Sequence, residues 1–100
     1  MKSYRGSRTI DGIKVEVDGR PLDERYDIKR FTRGGFEWTY EGAEPQQLAL
    51  ALLADHLGDD ARALALSAAF MRDVIANLEN DWELTSAEVE AALSRIEQAA

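Results

Sequence analysis

Cysteine is absent from this chain, and with it go disulfide frameworks, thiolate chemistry and the commonest ligand of structural zinc. Histidine occurs once, at His56, so one subunit cannot assemble a multi-histidine metal centre. No run approaches the roughly twenty apolar residues that span a bilayer. None follows Met1-Lys2-Ser3-Tyr4-Arg5 either, so neither a membrane segment nor a secretory signal is expected, and the expected compartment is the cytoplasm. Gly-x-Ser-x-Gly is missing, and no Ser/His/Asp or Cys/His arrangement offers a nucleophile. The expectation is a protein with no catalytic residue, no metal and no cofactor. His56 reads as a helix C-terminal residue, where a partial positive charge suits the helix dipole.

Positive charge is what the second half lacks. Residues 1–43 carry nine Lys/Arg against eight Asp/Glu, whereas residues 44–100 carry three Arg against eleven Asp/Glu, a net of −8 within the overall −7. An acidic helical half repels a phosphate backbone. A nucleic-acid-binding module would have to use Arg5, Arg8, Arg20, Arg25, Lys29, Arg30 and Arg33 with Tyr4 and Tyr26 as stacking rings. These alternate with Asp11, Asp18, Asp23, Glu24 and Asp27, which predicts a salt-bridged mixed surface and disfavours nucleic acid.

What is present is an ordinary globular composition, 45% hydrophobic and 31% charged over 100 residues, which predicts one soluble domain, 1–100, with a single core. The stretch Gly35 to Ala54 organises it. Phe36, Trp38 and Tyr40 alternate with Glu37, Thr39 and Glu41, the period of a strand with three rings on one face. Gly42 ends that strand, Pro45 suits the first turn of a helix, and from Leu48 the helix is apolar nearly all round, the mark of a buried element. The strand rings are expected against Leu48 and Leu52.

Upstream, Tyr4–Ile10 and Ile13–Val17 read as a hairpin turning at Asp11-Gly12. Asp18-Gly19 repeats the turn chemistry, Pro21 is expected to end pairing, and residues 23–33 form a charged connection. Downstream, Gly58 is a C′ residue and Asp59 or Asp60 a cap. Leu64, Ala68, Met71, Ile75 and Leu78 predict an inward stripe, widened by Phe70 and Val74. Trp82 and Leu84 tuck a connection back. Thr85-Ser86-Ala87-Glu88 is a capping box with Leu84 and Val89 as its hydrophobic staple, opening a last helix with Val89, Leu93 and Ile96 inward.

Three sites are worth placing. Glu37, Glu41 and Glu44, with Asp55, are candidate oxygen ligands for a small molecule or divalent ion at the strand-to-helix hinge, although their spacing matches no calcium loop. Gly42 before a helix N-terminus suggests a phosphate cradle, but Glu41 and Glu44 occupy that end and oppose an anion. Asp59, Asp60, Asp73, Glu79 and Asp81 are the candidate partner-binding surface for a basic protein, the plainer reading being a coat that keeps an alanine-rich chain soluble.

Tyr4-Arg5-Gly6, Val17-Asp18-Gly19-Arg20-Pro21-Leu22, the segment Gly-Phe-Glu-Trp-x-Tyr-x-Gly-x-x-Pro-x-Gln-Leu-Ala over residues 35–49 and its continuation to Ala54, with Phe70, Val74-Ile75 and Trp82, resemble an uncharacterised family of short proteins. Its members occur in bacterial, archaeal and phage genomes, and the resemblance implies no activity. Family sequences are richer in glycine after the tryptophan. Thr39, Glu41 and Glu44 stand here in place of small residues, which argues against a glycine loop closing on a ligand.

The expected fold is α+β: a small antiparallel sheet of two to three strands, within about residues 4–40, packed on one face by three helices within about 45–97. The expected function is that of a non-enzymatic, small acidic interaction protein, of phage or mobile-element origin, binding a host or phage protein. The alternatives are a ligand- or metal-binding protein or enzyme using the Glu37–Glu44 hinge, and a nucleic-acid-binding module using the Arg-rich half.

Overall fold

The computed structural model describes residues 2–99. Alternating side chains in the first twenty residues build strands β1 (Ser3–Thr9), β2 (Gly12–Val17) and the two-residue β3 (Arg20–Pro21); β4 (Trp82–Thr85) joins from the far end of the chain. Helices α1 (Ala43–Leu57), α2 (Asp60–Asp73) and α3 (Ser86–Ala99), with a 3₁₀ turn at Ile75–Asn77, complete an α+β fold. The sheet is antiparallel, in the order β3-β2-β1-β4.

Four strands replace the two or three expected, and residues 36–40 are not among them. The position beside β1 that an aromatic strand would take is filled by β4, with Tyr4 opposite Leu84 and Gly6 opposite Trp82. Thr39 also breaks the alternation, because its φ of 81° lies in the left-handed region that a β-branched residue rarely adopts. Phe36 and Trp38 are buried as expected, while Tyr40 is 44% exposed. The Trp38 indole N–H donates to the Asn80 carbonyl at 3.2 Å, and its ring meets Trp82 edge to face with centroids 5.7 Å apart. A Cβ at Gly6 would run into the Trp82 indole, so glycine there lets the second tryptophan lie against the sheet.

The first hairpin turns one residue earlier than expected. Thr9 pairs with Gly12, leaving Ile10 and Asp11 as the turn, and the Thr9 hydroxyl closes it by donating to the Gly12 carbonyl at 2.7 Å and accepting from the Asp11 amide at 3.2 Å. Asp18-Gly19 turns as read, both residues at positive φ. Regular pairing ends at Pro21 as expected, with Pro21 opposite Glu16 on the sheet edge, where its missing N–H costs nothing, and one further bond from the Leu22 amide to the Val15 carbonyl. Tyr4, Val15, Val17 and Trp82 are buried on the inner face; Arg5, Lys14 and Glu83 lie on the exposed outer one.

α1 begins at Ala43, two residues before Pro45, and is buried from Gln47 to Ala54. Gly58 ends it in the left-handed conformation, its N–H bonded to the Ala54 carbonyl, and Asp59 caps α2 by accepting from the Arg62 amide at 3.1 Å. α2 stops at Asp73, and Phe70, Met71 and the following Ile75 of the predicted stripe are buried, but its first half turns Ala63 and Ser67 inward in place of Leu64, which is 36% exposed, and Ala68, which is half-buried. Small Ala63 and Ser67 allow close approach to α1, where Gln46 donates to the Ser67 hydroxyl at 3.3 Å. α3 opens on the capping box as read. The Thr85 hydroxyl accepts from the Glu88 amide at 3.2 Å, the Glu88 carboxylate accepts from the Thr85 amide at 3.0 Å, and Val89 and Leu93 face inward.

Candidate functional site

The hinge carboxylates are fastened into the fold one by one. Glu37 accepts from Arg8 at 2.6 Å and from the Trp38 amide at 3.1 Å. Glu44, in the first turn of α1, accepts from the Thr32 hydroxyl at 2.6 Å and from Tyr40 at 2.9 Å. These two bonds, the Thr32 one first, hold its carboxyl below the usual glutamate range, while burial and then the Glu44 bond push the Tyr40 phenol up. Glu41 is exposed. Asp55 is eleven residues further along α1, about 16 Å at the helical rise, where it accepts from the buried Tyr4 hydroxyl at 2.8 Å and from Lys2 at 3.1 Å. Burial first, and then Asp55, raise the Tyr4 phenol. The four carboxylates therefore do not converge, and the described residues hold no cluster of three or more His, Cys, Asp or Glu able to hold a metal ion.

Two residues that the sequence did not point to as hinge residues do more there. Gln47, wholly buried, donates to the Glu24 carbonyl at 2.7 Å and the Lys29 carbonyl at 3.0 Å, and accepts from the Phe31 amide at 2.8 Å. The available signal was a lone amide in a helix otherwise apolar on all sides, because a buried amide needs partners. Arg8 is the other. It reaches Glu37, the Trp38 carbonyl at 3.1 Å and Asn80, with its guanidinium 4.7 Å from the Trp38 ring centroid.

The acidic candidates divide. Asp59 and Asp60 lie at the start of α2; Asp73 ends it, and Glu79 and Asp81 follow. Fourteen helical residues put about 20 Å between the two groups. Asp59 is the cap, Asp60 pairs with Arg25 at 3.2 Å, and Asp73, Glu79 and Asp81 are exposed. The basic candidates are largely engaged. Arg5 pairs with Glu83 at 2.7 Å, Arg25 with Asp27 and Asp60, and Arg30 stacks 4.0 Å from the Tyr26 centroid. Tyr4 is buried and offers no ring for stacking. Arg20, Lys29 and Arg33 carry no ion pair among the described residues. His56, in the last turn of α1, meets Glu90 of α3 at 2.7 Å.

The surface with uncommitted groups is at the hairpin. Starting the turn at Ile10 throws that side chain fully into solvent, and Ile13 is 39% exposed. Beside Ile13 a groove of about 600 Å³ runs between β2 and the Gly34–Phe36 segment, lined by Ile13, Val15, Pro21, Leu22 and Phe36 together with the charged Lys14 and Glu24. The Val15 carbonyl accepts from the Leu22 amide at 3.0 Å, so the period of two turns the Ile13 N–H and C=O the same way, off β1. β3 ends before reaching them.

No curated protein and no solved structure matches the chain. A family described as one of unknown function, DUF6166, matches residues 4–95, nearly the full length of the fold just described, and the chain belongs to that family.

Proposed function

We propose that this is a non-enzymatic interaction protein of the cytoplasm that binds a host or phage protein through the end of its first hairpin. The observation that carries the reading is Ile13, exposed in a groove walled by Leu22 and Phe36, with Ile10 fully exposed at the hairpin turn that precedes it. Exposed aliphatic side chains next to a concave apolar surface lose unfavourable hydration when a partner covers them. The engagement of Glu37 and Glu44 in bonds that hold the hinge weighs against a ligand site there. The acidic groups at the two ends of α2 then act at a distance: a net charge of −7 attracts a basic partner and speeds its encounter. A phage or mobile-element source is part of this proposal and rests on the sequence resemblance alone.

Quantitative affinity purification from the native host tests this, comparing wild type with the Ile10→Asp, Ile13→Asp double variant, with thermal melting as the folding control. The proteins enriched by wild type should be lost from the folded variant. Identical enrichment by both would overturn the proposal. For a recovered partner, neutralising Asp59, Asp60, Asp73, Glu79 and Asp81 to Asn or Gln should slow association and flatten its salt dependence.

A further inference from the structure

We infer that the occupant of the hairpin groove is an extended basic-apolar segment of the partner that continues the line of β3 along β2. This rests on the interaction reading above and names its chemistry. β3 runs antiparallel to β2, with Arg20 opposite Val17 and Pro21 opposite Glu16, and the Leu22 amide still bonds the Val15 carbonyl. The chain then leaves the sheet, and the next places in that line, opposite Lys14, Ile13 and Gly12, form the groove of about 600 Å³. The backbone groups of Ile13 face this vacated line, and an exposed edge is completed by an added strand.

The same geometry gives the pattern of the segment. The residue opposite Ile13 shares its face, beside Leu22 and Phe36, and is therefore aliphatic. Its two neighbours point to the outer face. The one opposite Lys14 is uncharged, since like charges across strands repel. The one opposite Gly12 is basic, matched to Glu24 in the groove lining and drawn to the surface by the overall charge of −7. That charge also argues against a second copy of this chain, which would bring −7 against −7 over a contact with one residue's edge groups to share. Stable interfaces bury on the order of 1,200 Å² or more.

The probe is the capped pentapeptide Thr-Val-Lys-Val-Lys, titrated into the isotope-labelled protein and followed by amide shifts and amide exchange. The Ile13 amide should shift and gain protection, and N-methylation of the first valine should weaken binding at least tenfold, because the strand then lacks its donor to the Ile13 carbonyl. Ile13→Val should bind as wild type. Ile13→Pro, which removes the outward N–H and trims the side chain without costing a bond to β1, should lose binding tenfold; should that variant misfold, the methylated peptide still decides the matter. Equal affinity for the methylated peptide, or shifts confined to the ends of α2, would overturn the inference in favour of plain electrostatic attraction. Protection of Ile13 that rises with protein concentration alone would overturn it in favour of self-association. Peptide binding at Ile13 without any host protein lost on hairpin substitution would leave this inference standing and the proposed function fallen.

Discussion

Residues 23–42 and 43–57 are neighbours in sequence and are held by different physics. The second is a helix whose Leu48, Leu50, Leu52 and Leu53 are completely buried, so repeating backbone bonds and apolar area hold it together. The first has neither helix nor strand. It is held by side chains sent out from regular elements, namely Gln47 and Glu44 from α1 and Arg8 from β1, and by the buried rings of Phe36 and Trp38. A segment without its own ladder is ordered when its backbone groups find side-chain partners elsewhere. The difference also shows why a single amide in an apolar helix matters.

The contrast would break most visibly at Trp38, the apolar anchor of the irregular segment. Trp38→Ala should cost about 3–5 kcal/mol in denaturant unfolding, a large part of the stability of a domain this size. A loss within about 1 kcal/mol would mean the segment is not pinned by its ring.

Gln47 sharpens the comparison, because it belongs to the helix but serves the loop. Gln47→Leu keeps the apolar helix and leaves the Phe31 amide and two carbonyls without their partner, at roughly 1–3 kcal/mol for each buried group that water cannot reach. Hydrogen exchange should accelerate over residues 24–31 before it does in α1. Uniform acceleration would show that the two regions unfold as one.

Thr85→Ala is the control in regular structure. The capping oxygen is lost while Val89 and Leu93 stay packed, so α3 should weaken by about 1 kcal/mol, read as faster exchange over residues 88–96 with residues 23–42 unchanged.

The smallest effect is a pH dependence of the hinge. The Glu44 carboxyl lies lower in the folded protein than in the unfolded chain, so its contribution is present above the unfolded value and fades as pH falls through the folded one, below roughly pH 4. The Tyr40 phenol is raised, so its contribution is complete below about pH 10 and fades as pH rises through the higher folded value. Amide exchange in residues 32–44 should quicken at both extremes while the middle of α1 holds. Glu44→Gln should flatten the acid arm.

Sequence alone determined what depends on neighbours a few residues apart: the α+β class, the Asp18-Gly19 turn, the Asp59 cap, the Gly58 stop, the Thr85 capping box and the burial of α1. Propensity, capping and periodicity act over that range. Which segments become neighbours was decided only in the folded chain. Residues 36–40 alternate like a strand and are none, since β4 from more than forty residues away occupies the place beside β1. A one-residue earlier turn exposed Ile10, and the departure of the chain from the sheet after Leu22 left the groove beside Ile13. The inward face of α2 went to Ala63 and Ser67 instead of the larger Leu64, because what packs against α1 depends on how closely two helices can approach, not on hydrophobicity alone. Those outcomes rest on contacts between distant parts of the chain, which no local pattern of residues contains.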